Sequence, residues 1–306
     1  MKVIVVGAGR VGRRVAEHLS KRHNVTVVDI NGRLVDELQY SLDVLAVEGD
    51  ATLPDTLEEA GVYNADYVIA TTNNDNVNIV VCSLAKTLSN PRTIARVKNM
   101  EYLRVWGRGR EALGVDTMVC AVPLVARSII NVVEYPQIRF LRKLYGELYV
   151  GDVLSAPETL WSVEIKGRTL VIGTLDEIRK TYRAQRPQNV LIMGGSETGI
   201  FLAEMLSEKG YNVKLVERDE KRAEYASKKL DSVLVIQGDV FDQNLWCGEE
   251  LNRADLGIAC LGEDSHNLLA SLIAVKSGVK RVFSIVHEQY FSDIFEKNGI
   301  FVSVPR

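Results

Sequence analysis

One glycine-rich pattern occurs twice in this chain, and the segments after it recur in the same order. Gly7-Ala8-Gly9-Arg10-Val11-Gly12 comes directly after an apolar run at residues 1–6, and Gly194-Gly195-Ser196-Glu197-Thr198-Gly199 directly after Val190-Leu191-Ile192-Met193. Gly7 and Gly194 are 187 residues apart and Asp29 and Glu217 are 188 apart. Three later pairs, Asp50 with Asp239, Asp75 with Asp264 and Asn78 with Asn267, are each 189 apart. A single glycine pattern is weak evidence, because short patterns recur by chance; a set of features returning at near-constant offset marks a duplicated domain. At 306 residues the chain is long enough for two domains of ordinary size.

Within each copy, strand-type and helix-type segments alternate. The first apolar run is followed by the glycine pattern, an amphipathic helical stretch at 13–21, a strand Val25-Thr26-Val27-Val28 ending at Asp29, and a strand Val44-Leu45-Ala46-Val47 ending at Glu48-Gly49-Asp50. Tyr67-Val68-Ile69-Ala70, a helix at about 76–89 and a strand at 93–97 continue the order. Such alternation implies a parallel sheet with helices on both faces. The expected fold is α/β, with two tandem Rossmann-type doubly wound parallel sheets joined by a short reduced subdomain. The boundaries read as 1–134 for the first nucleotide-binding domain, 135–187 for the connector and 188–306 for the second domain. The connector has a strand-like Trp161-Ser162-Val163-Glu164-Ile165, a turn at Lys166-Gly167-Arg168 and a charged helical run at 175–185. It is too short for a substrate domain, and Trp161, Leu170 and Ile172 argue that it is compact rather than a flexible linker.

In the first copy the glycine pattern lies between a strand and a helix, the context in which it binds a dinucleotide. Gly7 permits the tight turn, Gly9 lets a phosphate approach the backbone, and Gly12 lets helix and strand pack closely. The helix amino end, reached through Arg10 and Val11, offers N–H groups and a positive dipole to an anion. Asp29 lies 22 residues after Gly7, where a carboxylate accepts hydrogen bonds from ribose hydroxyls and repels a 2′-phosphate. Ile30 comes directly after it. The ligand expected is NAD(H) or an adenine nucleotide (ATP, ADP or AMP) rather than NADP. Arg10 stands beside the phosphate position or reaches a neighbouring subunit's ligand, a solvated arginine being the alternative. Asp50, Ala51 and Thr52 come after the third strand and line the adenine or ribose end. Thr71, Thr72, Asn73, Asp75 and Asn78 come after the fourth strand and open a helix, so capping and site architecture both account for them. Arg96 and Lys98 end the fifth strand and offer positive charge to a phosphate or to a partner.

The second copy keeps Gly194 and Gly199 but has Ser196 at the middle position and Glu197 where the first has Arg10. A serine narrows the approach for a pyrophosphate, and a carboxylate at the helix amino end competes with an anionic ligand. Glu217 keeps a ribose-type carboxylate, and with Asp239 it leaves nucleoside or mononucleotide binding open. His266 and His287 read as surface or satisfied groups. No residue is assigned a catalytic or metal-binding role.

Composition narrows the partners. A net charge of -3 gives no global reason for nucleic acid binding. A first strand starting at Lys2 leaves no room for a signal peptide, so export is not expected. The apolar stretch at 118–133 is interrupted by Pro123 and Arg127 and is shorter than the ~20 residues that span a bilayer, so no direct membrane insertion is expected. Cys82, Cys120, Cys247 and Cys260 are scattered and read as buried or bystander thiols.

At these residues the chain resembles the TrkA family of regulator-of-potassium-conductance (RCK) proteins. The resemblance covers nearly the whole chain. Its carriers are the first glycine pattern, Val47-Glu48-Gly49-Asp50-Ala51-Thr52, the helix from Asn76 to Lys86 and Ile94-Ala95-Arg96-Val97; the second copy adds Val216-Glu217-Arg218-Asp219, Gln237-Gly238-Asp239 and the closing run from Gly299 to Arg306. The resemblance implies a cytoplasmic regulatory subunit, peripheral to the inner face of the cell membrane, that binds NAD(H) or ATP/ADP through Gly7, Gly9, Arg10, Gly12, Asp29, Asp50, Thr72 and Arg96. It implies assembly as a homo-oligomeric or hetero-oligomeric ring on a potassium-translocating membrane protein of TrkH type or a potassium channel. Nucleotide identity would bias the angle between paired domains, and the ring would pass the change to a pore. Full-length relatives carry a smaller lobe after each Rossmann unit; residues 161–170 resemble a fragment of the first, and the sequence ends where the second would come. The segment 118–133 is a candidate crossover helix between neighbours, with an ordinary core helix as the alternative. The competing expectation is an NAD-dependent oxidoreductase, disfavoured because a second Rossmann copy stands where a substrate domain would supply an acid–base group.

Overall fold

The computed structural model describes residues 1–109, 113–165, 167–182 and 184–303. By its own contacts the chain divides into two units, Met1–Ala121 and Val122–Arg306.

The first unit is a six-stranded sheet in the order β3-β2-β1-β4-β5-β6, formed by β1 (Lys2–Val6), β2 (Asn24–Asp29), β3 (Leu45–Glu48), β4 (Tyr67–Ala70), β5 (Arg92–Val97) and β6 (Thr117–Cys120). Every neighbouring pair is parallel. Parallel strands need crossovers, and α1 (Arg10–Ser20), α2 (Gly32–Ser41), α3 (Pro54–Glu59), α4 (Asp75–Ser89) and α5 (Met100–Trp106) supply them. The centre of the sheet is covered on both faces, which is why β1 reads as an unbroken apolar run: Val3, Ile4, Val5 and Val6 are all buried. Strand order reverses between β1 and β4, so a crevice opens at their carboxyl ends, where ligands bind in sheets of this type.

The second unit opens with α6 (Val122–Ile130), runs through β7 (Ile138–Tyr145), β8 (Leu148–Val153), β9 (Trp161–Ile165), β10 (Arg168–Thr174) and α7 (Leu175–Thr181), and then repeats the first architecture. β11 (Asn189–Met193), α8 (Glu197–Glu208), β12 (Asn212–Glu217), α9 (Glu220–Lys229), β13 (Leu234–Gln237), α10 (Gln243–Gly248), β14 (Leu256–Ala259), α11 (Asp264–Lys276), β15 (Arg281–Ile285), α12 (Gln289–Lys297) and β16 (Phe301–Ser303) give the order β13-β12-β11-β14-β15-β16. The final part of the family-like closing run, residues 304–306, lies outside the described residues.

Residues 122–134, which the sequence places at the end of the first domain, pack with the second unit. Ala126 and Ile129 of α6 belong to the same core as Ile200, Leu202, Ala203 and Leu206 of α8. The turn after α6 is fastened too: the Arg281 guanidinium donates to the carbonyls of Val132 (2.9 Å) and Val133 (2.7 Å) and lies over the rings of Phe283 and Phe301. Burial pulls its pKa down to about 10. Within this chain α6 is a core helix of the second unit.

Between α6 and β11 the connector forms a four-stranded antiparallel sheet, β7-β8-β10-β9. The sequence pattern does not reveal the hairpin β7–β8, and the core residues lie on the opposite face from those expected. Ile138, Leu141, Val153, Val171 and Ile178 are buried, whereas Trp161 is 62% exposed and Leu170 and Ile172 are only half-buried. Side chains alternate along a strand, so Val171 points inward only if Leu170 and Ile172 point out. Asp152 is fully buried between Arg139 (3.6 Å) and Arg168 (3.3 Å); burial raises its pKa and the two arginines act against that rise. Arg168 also pairs with Glu296 of α12, joining this sheet to the second Rossmann copy.

Candidate functional site

The glycine turn of the first unit separates residues that serve packing from one that leaves space. A β-carbon on Gly12 would stand 1.7 Å from the Gly7 carbonyl oxygen, and Gly7 itself has a left-handed φ of +100°. Gly199 and Gly194 repeat both features, with the corresponding approach at 2.1 Å and a φ of +107°. These glycines let helix and strand close on each other in both copies. Gly9 differs: a β-carbon there meets nothing within 4 Å. It caps α1 without any side-chain hydrogen bond, so the helix amino end faces open space.

In the second copy that space is filled. Ser196 caps α8 by accepting from Gly199 N (3.3 Å) and donates to the Cys260 carbonyl (2.8 Å). Arg10, the exposed first residue of α1, is replaced by Glu197.

Two cations flank the open amino end. Arg96, at the end of β5, donates to the Thr72 carbonyl (3.3 Å). Its burial lowers its pKa; Asp75 counters this, and the positive charge of Arg10 adds to it, which places the two guanidinium groups within electrostatic reach. The residue in the Arg96 position of the second copy is Ile285, and Cys260 and Leu261 stand for Thr71 and Thr72. The open amino end of α1 therefore has two arginines near it. The second copy has lost both arginines.

The carboxylates at the ends of the second strands are duplicated. Asp29 accepts from Ala8 N (2.6 Å) and Asn31 N (2.8 Å), and Glu217 accepts from Gly195 N (2.6 Å) and Asp219 N (2.8 Å). Each carboxylate thus fixes its own glycine turn. Asp29 stays half-exposed, while Glu217 is only 8% exposed. Asp50 is exposed and accepts from Thr52 N (2.9 Å) and Thr52 Oγ1 (2.7 Å), hydrogen bonds that hold its pKa below the usual carboxylate value. Its counterpart Asp239 instead faces Arg218 at 3.8 Å and accepts from Phe241 N. Ile30 is 73% exposed at the rim, Val11 is exposed on the first turn of α1, and Ala51 is buried next to Asp50.

The remaining candidates are joined to one another and to β5 by hydrogen bonds along the crevice wall. Asn78 is fully buried; its Oδ1 accepts from Thr72 N (2.9 Å) and Thr72 Oγ1 (2.7 Å), and its Nδ2 donates to the carbonyls of Thr72 (3.1 Å) and Arg96 (2.8 Å). Asn267 repeats this with Leu261 and Ile285. Asp75 accepts from Lys98 N and Asn99 N, and Asp264 from His287 N and Glu288 N. Thr71 Oγ1 donates to the Val6 carbonyl (3.0 Å), and the exposed Asn73 offers its carbonyl to Lys98 Nζ (3.2 Å). These side chains tie the ends of β4 and β5 together and so hold the crevice wall. His287 is satisfied by Asp264, at 2.9 Å.

Fold and site together define a tandem Rossmann protein in which the helix amino end at the first crevice is open and has Arg10 and Arg96 near it. Residues 3–121 and 190–304 each match the TrkA-N domain. The chain belongs to the TrkA family. It is 31% identical over 351 residues to the Trk system potassium uptake protein TrkA of Vibrio alginolyticus, covering 99% of this chain and 76% of that protein. Its fold is that of the GsuK channel bound to NAD (TM-score 0.74, 19% identity, 99% of this chain and 61% of that one) and of GsuK bound to ADP (TM-score 0.68, 18% identity, 99% and 65%). Among the described residues no helix is long and apolar enough to cross a membrane.

Proposed function

We propose that this chain is the nucleotide-sensing regulatory subunit of a potassium-transport system, binding NAD(H) or an adenine nucleotide in its first crevice and leaving it unaltered. The observation that carries the reading is the uncapped amino end of α1 over Gly9, flanked by Arg10 and Arg96, where the second copy has a serine cap and no arginine. The backbone N–H groups at Gly9, Arg10, Val11 and Gly12 receive the phosphates, and the two guanidinium groups neutralise them. Asp29, already oriented by two backbone donors, accepts from the ribose hydroxyls; Ile30, Asp50 and Ala51 line the adenosine end. Thr71, Thr72, Asp75 and Asn78 position this wall and Asn73 edges it.

Potassium transport is supported by the names of the relatives, and nucleotide binding by the likeness to GsuK with NAD and with ADP. In our reading the second crevice, with Gly194, Ser196, Gly199, Glu217 and Asp239, is retained as scaffold and takes no phosphate. The subunit forms a ring on the inner face of the membrane and gates a TrkH-type transporter or a potassium channel. Nucleotides drive such a subunit only by binding two conformations unequally, with coupling of about 1–3 kcal/mol.

The test is identification of the copurifying nucleotide by mass spectrometry, with calorimetric affinities for NADH, NAD, ATP and ADP. Saturable binding that Arg10→Glu weakens supports the reading. No binding of any of the four, or nucleotide-dependent turnover of 2-hydroxy acids or amino acids, overturns it.

A further inference from the structure

Glu48, the last residue of β3, has no part in the glycine turn or the crevice wall. Strands β2 and β3 pair so that Asp29 and Glu48 are register partners, and Gly49 N donates to the Asp29 carbonyl at 3.0 Å. Both carboxylates lie against the turn from β2 into α2. Asp29 holds Asn31 N, and Glu48 reaches the next residue: a β-carbon on Gly32 would stand 2.5 Å from Glu48 Oε2 and 3.0 Å from Oε1.

Glycine in a helix costs conformational entropy, and Gly32 has no left-handed φ to require it. What its missing side chain provides is the seat for the Glu48 carboxylate, at the positive amino end of α2. The second copy has dismantled both halves of this arrangement. Glu220 stands in the position of Gly32 and Gln237 in that of Glu48, although Glu217 and Gln237 remain register partners.

In a sheet of this order the adenosine ribose meets the carboxylate that ends the second strand, and a 2′-phosphate would project toward the turn beyond it. We infer that Glu48 is a specificity residue of the nucleotide crevice: seated on Gly32, its carboxylate takes the place a 2′-phosphate would need and confines the site to ligands with a free 2′-hydroxyl. Arg33, exposed on the same turn, would otherwise suit a 2′-phosphate, so the excluding element is the added negative charge and not a shortage of positive charge. This rests on the proposal that a nucleotide occupies the first crevice.

The test measures calorimetric affinities of the full chain for NADH and NADPH, and for AMP and adenosine 2′,5′-bisphosphate, at fixed ionic strength. For Glu48→Gln the preference against the 2′-phosphate is expected to narrow by about tenfold, with NADH and AMP affinities within about threefold of wild type. Gly32→Ala keeps the charge but displaces it from its seat, and is expected to narrow the preference by at least about threefold. An unchanged preference in Glu48→Gln, with NADH or AMP still bound, overturns the inference alone. A response to Glu48→Gln without one to Gly32→Ala overturns the seat on α2 as its cause. If the wild-type chain binds none of NADH, NAD, AMP, ADP and ATP, the nucleotide reading itself fails.

Discussion

The most direct test of the site transplants one residue from the second copy into the first: Gly9→Ser. Gly9 has φ -66° and ψ -174°, and Ser196 has φ -64° and ψ 163°, so a serine fits the backbone at position 9. Its β-carbon meets nothing within 4 Å. By analogy with Ser196, the new hydroxyl accepts from Gly12 N and caps α1, which changes stability by only a few tenths of a kcal/mol relative to glycine. In the proposed site the same hydroxyl would occupy a donor that receives a phosphate and would stand where the phosphate approaches. Losing one hydrogen bond to a charged group costs about 1.5–3 kcal/mol, and at 1.4 kcal/mol per factor of ten that is a drop of about 10- to 150-fold in affinity. Calorimetry with NADH and ATP reads the affinity, and thermal melting without ligand reads the fold. A Kd within about twofold of wild type, at unchanged Tm, would show that the phosphate does not rest on Gly9.

The same geometry sets the outcome of other substitutions. Asp29→Ala removes the acceptor of Ala8 N and Asn31 N as well as the proposed ribose acceptor, and should weaken nucleotide binding by about 1–3 kcal/mol, read by calorimetry; unchanged affinity would reject its ribose role. Arg10→Glu, which installs the charge of Glu197, should weaken ATP more than ADP and ADP more than AMP, with the difference shrinking as salt is raised. Asn78→Ala leaves its hydrogen-bond partners at the ends of β4 and β5 unpaired and should cost at least about 2 kcal/mol in denaturant unfolding, with nucleotide binding lost alongside. For Asp264, burial favours the neutral carboxyl, but the N–H groups of His287 and Glu288 and the His287 side chain outweigh it and lower its pKa below 3.8. A carboxylate with a depressed folded-state pKa contributes stability above its unfolded value and loses it as pH falls through the folded value. Acid unfolding of the wild type should therefore steepen below about pH 4, and Asp264→Asn should flatten that part of the profile.

Much of the architecture was legible in the residues. The near-constant offset between copies corresponds to duplicated hydrogen bonds, Asp29 to Ala8 N beside Glu217 to Gly195 N, and Asn78 to Thr72 N beside Asn267 to Leu261 N. A pattern anchored to turn glycines and strand-end carboxylates survives in sequence because each residue type answers a local backbone need. The antiparallel sheet was harder to read. Its hairpin β7–β8 alternates charged and apolar residues, and both the sequence run Arg139-Phe140-Leu141-Arg142 and the segment Leu170-Val171-Ile172 offer apolar side chains to either face. Only packing on α7 and the second Rossmann copy selects Leu141 and Val171 over Phe140 and Ile172.

The sequence by itself determined the duplicated α/β architecture, the place of the crevice and the exchange of Gly9 and Arg10 for Ser196 and Glu197 in the second copy, because glycines, caps and charges act over a few residues. The tertiary structure alone decided which candidates face the crevice and which hold it up. Asn78 and Asp75 are bound to the end of β5 and the residues just beyond it, and Glu48 is brought to Gly32 by the β2–β3 register. Those contacts join residues 16 to 23 positions apart, and such distances close only when the sheet forms.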